Sequence, residues 1–218
     1  IVQYRLSPAT AQKQLIWFVL ALIGMFAVML VLPRIRNVRK FDLLFLAGMF
    51  GLLALSTFFG QERGGSRNWF AIGNFVFQPS EPVKILLVFF LAGELSKNRS
   101  IRKLIPTGLC VGAAMVLLVL QKDLGATLLY FGTALVMLYL GTGNGLVTLA
   151  AFAAGCGGAV VSYQLFSHVR TRVAVWLDPW SDPLGSGYQI VQSLIAIASG
   201  GLLGMGLGMG EAKGLIPQ

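Results

Sequence analysis

Two carboxylates stand in the stretch Asp178-Pro179-Trp180-Ser181-Asp182-Pro183-Leu184-Gly185-Ser186-Gly187-Tyr188-Gln189, which continues to Gln192 and Ser193. Each aspartate precedes a proline, and two glycines follow the second. Proline fixes φ and glycine permits turns that other residues resist, so the stretch reads as a defined loop. A carboxylate fixed on such a loop can take the proton of an attacking hydroxyl, which is the work of a general base. Asp-Pro is also common in plain turns, so a turn-forming role for either aspartate stands beside the catalytic one.

Other polar residues have comparable double readings. Glu81 and Lys84 lie three apart on one helix face, either as a local anchoring pair or as a cation that receives an anionic headgroup. Asp123 opens an apolar run, where an N-cap is the plain explanation. Arg63 and Arg67 fall in a polar segment, and Arg170 and Arg172 precede the aspartate loop, where phosphate or interfacial lipid would suit them. His168 has no second His or Cys near it in sequence, so no metal ligand set is assigned. Gly204, Gly206, Gly208 and Gly210 follow no strand pattern and read as helix packing or a re-entrant turn, not a nucleotide loop.

These residues need elements to hold them, and composition restricts the choice. Of 218 residues, 56% are hydrophobic and only 11% charged. Apolar runs approach the roughly 20 residues that a bilayer-crossing helix needs. The reading is an all-α, polytopic transmembrane helix bundle, because helices satisfy their own backbone groups in lipid. Spans are expected at about 15–32, 43–59, 80–95, 104–120, 124–140 and 146–166. A large extracytoplasmic loop at about 167–189 and a Gly-rich apolar segment at 190–210 follow, all in one partial membrane domain over 1–218. Ser80 is the expected N-cap of the third span, with Pro82 tolerable in its first turn.

The formal charge of +9 would suggest nucleic acid in a soluble protein, but here it is gathered in short loops. If every span crosses, the loops at 33–42, 97–103 and 142–145 share one side and hold eight Lys/Arg in 21 residues. That density marks the cytoplasmic face, which puts Arg67, Lys84, Asp123 and the aspartate loop outside. Cys110 and Cys156 sit inside apolar runs and are read as helix packing. The chain opens on Ile1 and closes on Gln218 after a Gly-rich run, as an excerpt of a longer protein would.

Four motifs then occur in order: Gly64-x-x-Arg67-x-Trp69, Phe77-Gln-Pro-Ser-Glu-x-x-Lys84, Gln121-x-Asp-Leu-Gly125, and Asp178-Pro-x-x-Asp-Pro-x-Gly-x-Gly-Tyr-Gln189-x-x-Gln-Ser193. Together they resemble the SEDS family (shape, elongation, division, sporulation), typified by RodA, FtsW and SpoVE. The resemblance implies a ten-span peptidoglycan glycosyltransferase that polymerises lipid II with a class B penicillin-binding protein. This chain would then lack the first span and the last three. By position, the family's essential loop aspartate falls on Asp182, and Lys84 and Asp123 match other motif residues. Glu81, Arg67, Arg172 and Gln192 complete the expected substrate-binding set. The motif's usual proline is Lys122 here, and its usual threonine is Ala126, which changes the turn around Asp123.

The implied reaction joins a sugar hydroxyl to the anomeric carbon of a second lipid II, and one carboxylate base suffices if configuration inverts. The leaving pyrophosphate needs positive charge from Lys84, the loop arginines or a divalent cation such as Mg or Mn. The expected setting is the bacterial cytoplasmic (inner) membrane, with membrane lipids around the spans and no nucleic acid. A lipid II flippase explains the spans and the lysine equally well, and a non-catalytic scaffold is a third reading. The structured outer loop around Asp182 favours chemistry, because a flippase needs no base there.

Overall fold

The structure, a computed structural model, describes residues 8–31, 38–63, 66–72, 75–97, 101–202 and 204–206. Arg34, Arg36 and Arg99 of the basic loops, Gly64 of the first motif, and Gly208 and Gly210 lie outside the described residues. The chain divides into two compact units, residues 37–169 and the paired segments 1–36 and 170–218.

In the unit spanning 37–169, a 3-10 turn (Val38–Phe41) leads into α2 (Asp42–Phe59), three short strands, α3 (Ser80–Lys97), α4 (Ile101–Leu120), α5 (Leu124–Thr142) and α6 (Gly145–Leu165). Helix α3 packs on α2, α4 and α5. The seams follow helical spacing: Met49 and Leu53 on α2, Val83, Leu87, Phe90 and Leu91 on α3, and Leu104, Val111, Ala114 and Leu118 on α4 are all buried. Lipid tails are as apolar as these side chains, so close packing rather than escape from water holds the seam. Truncating a fully buried residue such as Leu53 would still open a cavity costing about 2–5 kcal/mol in soluble hosts.

Helices α2 (Asp42–Phe59), α5 and α6, with Arg102–Leu120 of α4, are long and apolar enough to cross a membrane. Helix α3 carries Glu81, Lys84, Glu94 and Lys97, which keeps it outside that group despite its 18 residues. Pro82 is its third residue, where an N–H would have no partner within the helix. Ser80 is already helical, and its hydroxyl donates to Asp123 Oδ2 at 3.4 Å rather than capping its own helix. The expected N-cap is therefore corrected to a cross-link between helices. Between α5 and α6, Gly143 (φ 63°) ends one helix, and the Asn144 side chain starts the next by accepting from Leu146 and Val147 N–H.

The polar segment after α2 is not simply loop. β1 (Gln61–Arg63), β2 (Ser66–Ile72) and β3 (Phe75–Phe77) form an antiparallel sheet in the order β1-β2-β3. Glu62 faces Arg67, and Phe70 faces Phe77, with a register shift between Gln61 and Glu62. Strands this short escape a search for long apolar periodicity, although Gly-Gly and Gly-Asn between them are hairpin signals.

The other unit contains α1 (Pro8–Val31), most of α7 (Ser167–Leu177), a 3-10 turn (Pro179–Ser181) and α8 (Tyr188–Gly200). The region 167–189 opens with an eleven-residue helix. The aspartate loop ends at Gly187, because Tyr188-Gln-Ile-Val-Gln-Ser begins a helix with Val191 buried. The Gly-rich segment expected at 190–210 is likewise helical through Gly200, and glycines do not interrupt it until Gly201 turns to φ 59°.

Candidate active site

The loop at 178–187 is built by its two aspartates. Asp178 caps the 3-10 turn: its Oδ1 accepts from Trp180 N–H at 3.2 Å, and its backbone carbonyl accepts from the Ser181 hydroxyl at 2.8 Å. Asp182 closes the next turn. Its Oδ1 accepts from Gly185 N–H (3.1 Å), and its Oδ2 accepts from Ser186 N–H (2.7 Å) and the Ser186 hydroxyl (2.9 Å). Gly187 N–H then returns to the Asp182 carbonyl at 3.0 Å. A Cβ at Gly187 would lie 2.2 Å from the Pro179 carbonyl oxygen, so only glycine lets the loop fold back this closely.

These donors stabilise the charged carboxylate. The Ser186 N–H and hydroxyl, aided by Gly185 N–H, hold Asp182 below the usual carboxylate range although the side chain is exposed. A carboxylate offers about four acceptor positions. Three are used, and one on Oδ1 stays open. Asp182 is therefore an ionised acceptor of fixed direction with room for one further donor.

In the unit spanning 37–169, Asp123 gathers the chain around itself. Its Oδ1 caps α5 through Ala126 N–H at 3.0 Å. Its Oδ2 accepts from Asn68 Nδ2 (2.5 Å), Gln78 Nε2 (3.1 Å) and the Ser80 hydroxyl (3.4 Å). One carboxylate thus ties β2, the entry to α3 and the start of α5 together. Tyr130, fully buried, donates its hydroxyl to the Ser80 carbonyl at 2.7 Å and strengthens the same joint. Gln121, just before the turn, donates to the Leu53 carbonyl and Thr57 hydroxyl and fixes α2 there.

Lys84 Nζ contacts Glu81 Oε1 at 2.8 Å, so the two expected ligands form the local pair. Arg67 pairs through its backbone with Glu62 in the sheet, and its side chain lies outside the described residues. Arg172 is exposed on α7, and Gln192 is half-buried on α8. His168 rests against Phe166 at 5.5 Å. The residues that sequence reading missed are Asn68, Gln78, Ser80 and Tyr130 as partners of the Asp123 joint. Gln78 and Ser80 stood inside a quoted motif, but nothing in the sequence linked them to a carboxylate more than forty residues away.

Apolar spanning helices with a shaped polar loop define a multi-pass membrane protein. The profile of the family described as cell cycle protein, FTSW_RODA_SPOVE, matches residues 2–217. The peptidoglycan glycosyltransferase RodA of Mycobacterium bovis is 35% identical over 93% of this chain and 47% of its own length. Stage V sporulation protein E of Bacillus subtilis is 36% identical over 93% of this chain and 57% of its own. A probable peptidoglycan glycosyltransferase FtsW of Nitrosococcus halophilus is 42% identical over 72% and 42%, respectively. Among solved structures, a chain from work described as "Structural coordination of polymerization and crosslinking by a peptidoglycan synthase complex" matches with TM-score 0.56 and 36% identity. That match covers 77% of this chain and 51% of the other. The chain belongs to the FtsW/RodA/SpoVE family, the SEDS family of the motifs. It spans about half the length of the curated relatives that it matches.

Proposed function

We propose that the full-length protein containing this chain is a peptidoglycan glycosyltransferase that polymerises lipid II. It would work on the outer face of a bacterial cytoplasmic membrane with a class B penicillin-binding protein as its crosslinking partner. Family membership supports the reaction, and the matched synthase complex supports the partnership. The observation that carries the reading is Asp182: an exposed, ionised carboxylate, fixed by three donors and open at one Oδ1 position.

In the proposed step, the acceptor sugar hydroxyl donates to that open position. As its oxygen bonds to the anomeric carbon of the donor, the proton passes to Asp182. The bond to pyrophosphate breaks with its electron pair on the departing oxygen, and configuration at the carbon inverts. For substrate binding, Lys84 would exchange Glu81 for a phosphate oxygen, one anion for another. Asp123, which already accepts four hydrogen bonds, would hold the joint at the start of α3 instead of touching substrate, and Arg67, Arg172 and Gln192 remain proposed contacts. Among the described residues, no three acids, histidines or cysteines cluster. An Mg or Mn ion would take most of its oxygens from phosphate and water, in the manner of magnesium sites. When bound, it would supply positive charge to the leaving pyrophosphate.

The test is glycan polymer formed from purified lipid II by the full-length protein with its partner, at matched folded amounts. Asp182→Asn removes the base and is expected to lose about 10²–10⁴-fold. Asp178→Asn keeps an oxygen for Trp180 N–H and should lose far less. Near-normal polymer from Asp182→Asn would sink the assignment, and equal loss in both variants would point to a loop that needs both aspartates for its shape or for a metal.

A further inference from the structure

Helix α7 and the turns after it expose large apolar side chains in a segment too short to span a bilayer. Trp176 is 72% exposed, Leu177 71%, Trp180 59% and Leu184 87%. Along α7, Val169, Val173, Trp176 and Leu177 recur at i, i+4, i+7 and i+8 and so form one stripe. The stripe is covered at Val169 and open from Trp176 onward. On the helical projection Arg170 and Arg172 flank it on opposite sides, both exposed, and no carboxylate occurs between Ser167 and Leu177.

Two things identify what covers this surface. The first is continuity. The apolar helix α6 ends at Leu165 and α7 begins at Ser167, so the chain enters α7 directly as it leaves a membrane-spanning helix. The second is composition. Tryptophan sits at headgroup depth, and arginines beside an apolar stripe lay their stems along it while reaching phosphate. A purely aqueous loop would have no use for such a stripe.

We propose that α7 and the turns through Leu184 lie in the headgroup layer of the membrane. Trp176, Leu177, Trp180 and Leu184 would enter the acyl boundary, and Arg170 and Arg172 would hold anionic phospholipid headgroups. Arg172 is shared with the proposed substrate contacts, and the rest of this surface stands independently of the proposed glycosyl transfer. It has a consequence for it, however: Asp182, between Trp180 and Leu184 in the chain, would be held at the depth where a lipid-linked pyrophosphate lies.

The experiment uses the full-length protein in vesicles, with Cys110 and Cys156 replaced by Ala and an environment-sensitive fluorophore on Leu184→Cys or, as the aqueous reference, Ser186→Cys. The expected result is strong quenching of the 184 probe by a shallow doxyl-labelled phospholipid and weak quenching by iodide, with iodide favoured at 186. Adding phosphatidylglycerol to phosphatidylcholine vesicles should shift the 184 probe further into lipid, and Arg170→Gln with Arg172→Gln should weaken that response by roughly fivefold per arginine. Free iodide access at 184 overturns the proposal. So does protection from both quenchers, which would mean another protein segment covers the stripe, or lipid access that depends on adding the partner. An unchanged phosphatidylglycerol response in the double variant overturns the headgroup assignment.

Discussion

Asp178 and Asp182 share a structural duty, since each accepts backbone N–H groups that shape its turn. They differ in how much of the carboxylate is committed: Asp178 accepts one side-chain bond and Asp182 three. The Ser186 hydroxyl at 2.9 Å helps to keep Asp182 charged and its folded-state pKa low. The ordering that Asp182 gives the loop is thus complete above the ordinary aspartate value of about 3.9 and is lost as pH falls through the lowered folded value. Ser186→Ala removes one donor, so the acid limb of the polymerisation pH profile should move to higher pH while activity near neutrality persists. Carboxyl carbon NMR of labelled Asp182 would show the same upward shift, and an unmoved acid limb would argue that another group titrates. The sequence showed that this loop would be shaped, because prolines and glycines announce it. It could not show which oxygen stays open, since that depends on Ser186, a residue of no obvious distinction in the string.

Among the elements, the ends of α2 and α3 make the most demanding contact. Asp42, 5% exposed, pairs with Lys97, and Lys97 also reaches Glu94 at 3.4 Å. Asp42 lies so close to α3 that a Cβ on Gly93 would overlap its carboxylate, and its Oδ1 is buried without a partner. Asp42 is buried but the Lys97 side chain is 39% exposed, so water screens the pair on one side. Lys97→Met, which leaves the Asp42 carboxylate short of a donor, should destabilise by about 1–3 kcal/mol, whereas Arg102→Met on exposed α4 surface should cost within about 0.5 kcal/mol. Thermal unfolding in detergent would check this; equal midpoints for the two variants would contradict the reading. The sequence put Lys97 in a basic loop and said nothing of Asp42. A salt bridge over 55 residues is a product of packing, and local periodicity does not report it. The spanning helices were legible because hydrocarbon tolerates little else, and the sheet was not because two of its three strands have only three residues and almost no period to detect.

At the scale of the molecule, the proposed orientation in the membrane rests on the distribution of basic residues. With native cysteines replaced, a cysteine at Ser181 should react with an impermeant thiol reagent from outside the cell, and one at Asn37 should react only after permeabilisation. The opposite pattern would invert the proposed outer placement of the Asp182 loop. This orientation is a proposal from charge density alone, and the labelling experiment is its test. The Asp123 joint was not readable, because it assembles Asn68, Gln78 and Ser80 from separate elements. That joint is entered through Lys122, which has φ 62° and donates its N–H to the Val119 carbonyl at 2.9 Å. A proline ring, fixed near −65° and lacking the N–H, meets neither condition. The proline that the resemblance implies at this place in the motif would therefore require a differently folded turn. Sequences of the family are not interchangeable here one letter at a time, and a working chimera would have to exchange residues 121–126 as a block.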